Sequence, residues 1–123
     1  MWMMCDREPI ANWTQGLMTL LGDSAHATLP HMAQGAGMAI EDAVVLAQYV
    51  EKYGSDYPSA FKAYQQERYL RTAFVQIISR QYAEVHYAEG IARELRNYLF
   101  SQVKPDLLYD LFSLLYKGIE IPT

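Results

Sequence analysis

The chain has 123 residues, of which 51% are hydrophobic, a formal net charge of −4 and one cysteine, Cys5. This length suits one domain with a real core, the apolar content argues against disorder, and the scattered basic residues argue against a nucleic-acid partner. No apolar run approaches the roughly 18 residues that cross a bilayer, and a lone cysteine excludes an internal disulfide and suits a cytoplasmic protein.

The first 34 residues carry the predicted strand and a loop. Residues 1–16 look extended or irregular, with a strand at Met1–Cys5 left open. A short buried strand is predicted at Leu17–Leu21, and it ends at Gly22 and Asp23. A loop of small residues follows and leads to Gly35.

The remainder is predicted to form four helices, because apolar residues recur there at helical spacing. Their ranges are Gly35–Lys52, Pro58–Ala88, Ile91–Phe100 and Pro105–Tyr116. The inward face of the first would carry Ala36, Ala39, Ile40, Ala43, Val44, Ala47 and Val50. That of the second would carry Phe61, Tyr64, Phe74, Ile77, Ile78, Tyr82 and Val85. The predicted fold class is therefore mainly α, in one unit over 1–123 with a strand and loop region (1–34) and a helical region (35–123).

The most informative segment joins the predicted strand to the first helix. A carboxylate, Asp23, ends the strand, and after a small-residue loop two glycines, Gly35 and Gly37, open the helix. Glycine allows a ligand to approach the backbone closely, and a helix N-terminus favours negative charge. This order predicts a site for a polar ligand.

The order of residues in this segment matches a known family. It resembles the second flavin-binding motif of the single-component FAD-dependent aromatic hydroxylases, the salicylate hydroxylase and 4-hydroxybenzoate hydroxylase type. The family pattern is close to GD(A/S)AH, P, QGA(N/G) and ED. The matching residues are, in order, Gly22-Asp23-Ser24-Ala25-His26, Pro30, Gln34-Gly35-Ala36-Gly37-Met38 and Glu41-Asp42-Ala43. Asp6-Arg7-Glu8-Pro9, Trp13 and Tyr64–Arg71 also look like the family, so the resemblance spans the chain, loosely after Arg71.

Two family motifs are not found in this sequence: the GxGxxG turn that holds the ADP half of FAD, and the later DG motif. Gly35–Ile40 is the nearest candidate for the first, and it lacks the third glycine. The resemblance therefore implies the C-terminal part of an α/β FAD-binding monooxygenase that lacks its N-terminal Rossmann part. We expect the 123 residues alone to be inactive.

The resemblance implies an oxidoreductase that uses FAD, NAD(P)H and O2 to hydroxylate a small phenolic acid. Glycine at Gly37, where many members have asparagine, favours a salicylate-like substrate that yields a catechol with loss of CO2. Gly22 and Asp23 would lie at the ribityl chain of FAD. Gly35, Ala36, Gly37 and Met38 would present their backbone to the flavin pyrimidine ring. Pro30 would face flavin and substrate, and His31 beside it is a candidate substrate contact.

Plainer interpretations stay open for these residues. Asp23 could cap the loop by accepting from the backbone N–H of Ala25 or His26, and the glycines could simply let the chain turn. We expect His26 to be a packed, hydrogen-bonded loop histidine. The spacing of Asp23, His26 and His31 matches no metal-ligand pattern, so no metal site is predicted.

Glu41 and Asp42 are neighbours in sequence and point in different directions on a helix, so they are not predicted to act as a general acid and base. We expect them to stabilise the helix dipole and to pair with Arg68 or Arg71. Two rival functions remain: a non-catalytic helical module for packing or dimerisation, and part of a related FAD-dependent epoxidase or reductase of isoprenoids. A homodimer is left open, and no nucleic-acid or membrane partner is expected.

Overall fold

The computed structural model describes residues 4–119, and within them all side chains except those of Pro105, Leu108, Leu111 and Leu114 in the last helix. Contacts divide the chain into two compact units, residues 1–80 and 81–123. The division falls inside one continuous helix, which runs through residue 80. The predicted single unit over 1–123 stays a prediction. The chain is mainly helical, which confirms the fold class. None of the helices in the described part is both long and apolar enough to cross a membrane.

Two short strands form an antiparallel hairpin near the N-terminus. Strand β1 is Thr14–Gln15 and β2 is Met18–Thr19, with Thr14 opposite Thr19 and Gln15 opposite Met18. The predicted strand at Leu17–Leu21 is thus shorter than expected, and it is not buried, because Met18 is 69% exposed. A strand with one neighbour buries little of either face. The open strand prediction at Met1–Cys5 lies partly outside the described residues, and Met4 and Cys5 have no regular structure.

Short helical turns replace part of the predicted small-residue loop. Helix α1 is the single turn Asp23–His26, and a 3-10 turn covers Pro30–Met32. Ala33 follows it with φ 53°, a left-handed conformation that is uncommon for a residue with a side chain. These turns lie between the hairpin and the first long helix.

Four helices follow at nearly the predicted positions. Helix α2 is Gly35–Tyr53, α3 is Tyr57–His86, α4 is Gly90–Gln102 and α5 is Pro105–Tyr116. Gly54 ends α2 with φ 58°, a conformation that glycine adopts without strain, and its N–H donates to Val50 O. Helix N-termini at Gly35 and Pro105 agree with the sequence prediction to the residue.

The inward face predicted for α2 is mostly wrong. The structure buries Met38, Asp42 and Val45, whereas Ile40 is 67% exposed and Ala36, Ala43 and Ala47 are also exposed. Of the predicted residues, Ala39, Val44 and Val50 are half-buried. The buried face holds a charged residue, so a pattern built on apolar spacing alone selects the other face.

The prediction for α3 is right in part. Tyr64 is buried and Phe61, Phe74, Ile78 and Tyr82 are half-buried, but Ile77 and Val85 are exposed. Much of its buried stripe is polar, and two glutamines of α3, the half-buried Gln65 and the buried Gln76, bind the irregular N-terminal segment. Gln65 Oε1 accepts from the N–H of Trp13 at 2.8 Å, and Gln76 Nε2 donates to Arg7 O at 3.0 Å. These two glutamines hold the segment through its backbone.

The core of the first unit is built around one aromatic group. Trp13 lies with its ring centroid 5.7 Å from those of both His26 and Tyr64, and all three side chains are buried. The Trp13 indole N–H donates to Ile10 O at 2.8 Å. Met32, Met38, Val45, Ala60 and Val75 complete the apolar core.

The second unit contains the end of α3 with α4 and α5. Arg96 Nη1 donates to Val85 O at 2.9 Å and to His86 O at 3.0 Å, which satisfies carbonyls at the C-terminal end of α3. Every residue of α4 other than Arg96 is exposed, and this includes the apolar residues Ile91, Leu95, Leu99 and Phe100. In α5, Leu115 is buried.

Candidate functional site

Gly22 makes the sharp turn from the hairpin into α1. Its φ of 61° and ψ of −139° are open almost only to glycine, and its carbonyl accepts from the N–H groups of Ala25 and His26, both at 2.9 Å. A Cβ added to Gly22 would lie 3.3 Å from Ala39 Cβ on α2. The glycine therefore provides both the turn and the close approach between this loop and α2.

Asp23 is the first residue of α1 and its side chain is exposed. The amides that a loop-capping aspartate would bind are already used, because Ala25 and His26 both donate to Gly22 O. Within residues 4–119 the Asp23 carboxylate makes no hydrogen bond or ion pair. The capping interpretation is therefore not realised, and the carboxylate is free to accept hydrogen bonds from a ligand.

The N-terminus of α2 presents backbone amides without a side-chain cap. Gln34 is the N-cap residue, and Met38 N–H makes the first hydrogen bond of the helix, to Gln34 O at 2.8 Å. The N–H groups of Gly35, Ala36 and Gly37 precede this bond and have no partner inside the helix. They offer three donors and the positive end of the helix dipole to an acceptor.

These two features border one groove of about 750 Å³, which is within the size range of about 300–1,000 Å³ that is usual for small-molecule sites. It brings together five of the residues predicted as ligand contacts: Gly22, Asp23, Pro30, Gly35 and Ala36. Leu21, Thr28, Ala33 and Ala39 complete the lining.

Three predicted site residues do not line the groove. The Met38 side chain is fully buried and its N–H belongs to the helix, so its backbone donor is occupied. Gly37 lies on the exposed side of the first turn of α2, and His31 is half-buried in the 3-10 turn. Among the described residues, no three His, Cys, Asp or Glu side chains cluster closely enough to hold a metal ion.

Behind the groove lies a fully buried ionic cluster centred on Asp42. Its Oδ1 accepts from Arg68 Nε at 2.7 Å, and its Oδ2 accepts from Gly22 N–H at 3.0 Å and contacts His26 Nε2 at 2.6 Å. Glu41 also binds Arg68, with 2.6 Å between Oε2 and Nη2. The expected pairing with Arg68 and the packed, hydrogen-bonded state of His26 are both confirmed.

The protonation of Asp42 is set by two opposing effects. Burial would raise the pKa of its carboxyl, but hydrogen bonds from His26, Arg68 and Gly22 outweigh it and hold the pKa below the ordinary value of 3.8. Burial also raises the pKa of Tyr64, with the charge of Asp42 adding to the effect. Asp42 is therefore ionised and Tyr64 is neutral at neutral pH.

The sequence predicts a helix-dipole role for Asp42 and its pairing with Arg68 or Arg71, but not its hydrogen bonds to Gly22 and His26. A signal was available, because Met38, Asp42 and Val45 follow the i, i+4, i+7 spacing of one helix face. A carboxylate between two apolar residues on a buried face needs partners, and both His26 and Arg68 are close to it in the fold.

Two glycine-to-alanine substitutions test whether the contact between Gly22 and α2 matters for stability, as distinct from the general preference of helices for alanine over glycine. We expect Gly22→Ala to lower the free energy of unfolding by about 1–3 kcal/mol, because of the backbone conformation and the contact with Ala39. Gly37→Ala should raise it by up to about 1 kcal/mol, because alanine favours the helix and no atom lies within 4 Å of the added Cβ. Urea unfolding followed by far-UV circular dichroism measures both, and equal effects would contradict the assignment.

Comparisons with known proteins show which proteins this chain is similar to. The model of a family described as FAD binding domain matches residues 3–77. The 3-hydroxybenzoate 6-hydroxylase of Polaromonas naphthalenivorans is 44% identical over 115 residues, which are 94% of this chain and 29% of that enzyme. The 6-hydroxynicotinate 3-monooxygenase of Bordetella bronchiseptica is 44% identical over 79 residues, 63% of this chain and 21% of the relative. The chain thus spans well under half the length of these relatives.

A solved structure shares the fold. Klebsiella pneumoniae HpxO, complexed with FAD and uric acid, superposes with a TM-score of 0.78 over 92% of this chain and 29% of its own, at 24% sequence identity. At this identity the likeness establishes the arrangement of helices and strands.

Proposed function

Because the chain belongs to the FAD binding domain family, we propose that its groove binds the isoalloxazine and ribityl part of FAD. The observation that carries the proposal is the exposed Asp23 carboxylate, without a partner in residues 4–119, in the same groove as the uncapped N-terminus of α2. An ionised carboxylate only accepts hydrogen bonds, so it suits a chain of hydroxyl groups. Free amides suit an electron-rich carbonyl or an anion.

Each side of the groove has a role in this proposal. Asp23 accepts from ribityl hydroxyls, and Gly22 allows the backbone to approach the cofactor. The N–H groups of Gly35 and Ala36, which line the groove, stabilise negative charge on the pyrimidine side of the flavin ring, with the helix dipole adding to them. Pro30 borders the groove and is proposed to face flavin and substrate, with His31 beside it as a further substrate contact.

The proposed activity of the whole protein is hydroxylation of a small phenolic acid with O2 and NAD(P)H. Bound FAD supplies the activation of oxygen, while the residues above bind and orient it. The expectation of a salicylate-like substrate is corrected by the relatives, whose names specify 3-hydroxybenzoate and 6-hydroxynicotinate. Hydroxylation at carbon 6 of 3-hydroxybenzoate replaces hydrogen, so it releases no CO2. Carbon 3 of 6-hydroxynicotinate bears the carboxylate, so loss of CO2 would apply to that kind of substrate.

A second candidate function is self-association, and it is supported by the apolar surface of the second unit. A groove of about 380 Å³ is lined mainly by apolar residues of the end of α3 and of α4. Its lining is Glu84, Val85, Ala88, Ala92, Leu95, Arg96, Leu99 and Phe100. Apolar patches rimmed by polar groups are typical of docking surfaces. The fraction of associated chains rises with protein concentration, whereas the dissociation constant for flavin at the first unit does not depend on it. Measurements at several protein concentrations therefore distinguish the two functions.

The flavin proposal is tested by titrating the 123-residue chain with flavin mononucleotide, followed by the amide signals of its NMR spectrum. We expect weak binding, too weak to retain flavin through purification, with shifts at Gly22, Asp23 and Gly35–Gly37. Asp23→Ala should weaken binding about tenfold, since a hydrogen bond to a charged group is lost. Its free energy of unfolding should stay unchanged, because the carboxylate has no partner in the described structure.

Asp56 provides a matched control. It is also an exposed aspartate at the start of a helix, and its Oδ1 accepts from Ser59 N–H at 3.3 Å. Asp56→Ala should reduce stability by about 0.5–2 kcal/mol and leave flavin affinity unchanged. A wild-type chain without flavin shifts, or equal affinities in Asp23→Ala and Asp56→Ala, would contradict the proposal.

A further inference from the structure

Asp42 links the two sides of the groove. It lies on α2, the helix whose N-terminus forms one side. Its Oδ2 is bound by the residue before α1, through Gly22 N–H at 3.0 Å, and by the last residue of α1, through His26 Nε2 at 2.6 Å. Asp23, on the other side of the groove, is the first residue of α1. One carboxylate therefore holds both ends of the turn that carries Asp23.

We infer that Asp42 is a positioning residue for the flavin site, which fixes the Asp23 carboxylate relative to the amides that open α2. The inference rests on the proposed function. It assigns to Asp42 a role beyond helix stability, because the hydrogen bond to Gly22 N–H acts on the residue directly before Asp23. A shift of this turn by a fraction of an ångström would move the acceptor away from the ligand and leave the helix amides in place.

The carboxylate must be ionised to act in this way. It accepts three hydrogen bonds, from an amide, an imidazole and a guanidinium, and an uncharged amide side chain has one oxygen and one donor group in the same space. In Asp42→Asn the NH2 group would take the place of one of the two oxygens. It would then face either Gly22 N–H and His26 Nε2 or Arg68 Nε, and all of these are donors. Arg68 contacts Oδ1 and balances the charge, which leaves Oδ2 to α1.

Glu41 provides a control for the loss of charge. It is the neighbouring residue of α2 and binds the same Arg68, through Nη2 at 2.6 Å, and it also binds Arg71 at 3.4 Å. Its side chain is 14% exposed, and among the described contacts it has none with α1. Glu41→Gln therefore removes an ionic partner of Arg68 without touching the turn that carries Asp23.

The experiment compares flavin mononucleotide affinity in Asp42→Asn, Glu41→Gln and wild type, with affinities corrected for the folded fraction. Both variants should lose stability. Asp42→Asn should also bind about tenfold more weakly, with changed shifts for Gly22 and Asp23, whereas Glu41→Gln should bind as wild type does. A purely structural role for Asp42 predicts wild-type affinity in the folded fraction of both variants, and that result would overturn the inference.

Two further measurements distinguish failure of this inference from loss of folding and from failure of the proposed function. If Asp42→Asn is unfolded in buffer, trimethylamine N-oxide is added until its circular dichroism matches that of wild type, since this osmolyte favours burial. Hydrogen exchange at the Gly22 amide of the wild-type chain is measured in any case. Protection supports the inference, and exchange as fast as at an exposed amide overturns it. If wild type itself gives no flavin shifts, the proposed function fails, whatever the result for Asp42.

Discussion

Arg68→Met should lower the free energy of unfolding by about 3–5 kcal/mol, because removing one partner of a buried ion pair leaves an uncompensated charge in the core. The guanidinium is buried and binds the carboxylates of Asp42 and Glu41, and it also donates to Met38 O at 3.3 Å. Methionine retains an unbranched apolar side chain and none of these donors. Urea unfolding at neutral pH measures the loss.

Arg80→Met is the control for this prediction. Arg80 binds two carboxylates as well, those of Asp6 and Glu8, but its side chain is 31% exposed. Exposed pairs contribute about 0–1 kcal/mol, so we expect a loss in that range. Equal losses for the two arginine variants would show that burial of Arg68 has no special weight in the stability of the fold.

The same pair of variants should differ in acid. The lowered pKa of Asp42 means that its contribution to stability is complete above the unfolded value of about 3.8 and is lost as the pH falls through the folded value. In Arg68→Met, burial acts with fewer opposing hydrogen bonds, so the pKa of Asp42 rises. The part of the acid destabilisation that comes from Asp42 should therefore be smaller in Arg68→Met than in wild type or in Arg80→Met, as measured by urea unfolding at neutral and at acid pH.

Trp13→Ala is the second substitution with a large expected effect. The indole is buried between His26 and Tyr64, and its removal leaves a cavity in the centre of the first unit. Large-to-small changes at buried aromatic residues lose about 3–5 kcal/mol. The midpoint of urea unfolding should fall accordingly, as followed by far-UV circular dichroism.

Tyr98 is the matched exposed aromatic residue, on α4, at 62% exposure. Tyr98→Ala should change the free energy of unfolding by no more than about 0.5 kcal/mol. If Trp13→Ala were as mild as Tyr98→Ala, the aromatic group would not be the centre of the core.

The positions of the long helices could be predicted from the sequence because their signals are local. Helix α2 was placed at Gly35–Lys52 and ends one residue later, and α5 was placed at its observed bounds. Glycine, proline and periodic apolar residues act within a few positions of the chain. The GD and QGAG segments, which border the groove, were found through the family pattern for the same reason.

The faces of the helices could not be predicted in this way. The buried face of α2 includes Asp42, whose burial depends on Arg68 and on Gly22, residues that are 26 and 20 positions away in the sequence. The buried stripe of α3 carries Gln76, whose partners are the carbonyls of Arg7 and Ala27. Polar side chains can be buried at these positions only because residues far away in the sequence form hydrogen bonds with them. A local pattern of apolar residues contains no information about such partners.

The buried cluster also limits how the chain can change by mutation. Losing either Asp42 or Arg68 alone leaves a charge without its partner, while exchanging both for apolar residues of similar volume costs little stability in comparable proteins. Any such exchange must also supply a new acceptor for Gly22 N–H and a new neighbour for His26. Four positions in three separate segments of the sequence therefore have to change together, so single mutations can preserve this cluster far more easily than they can rebuild it.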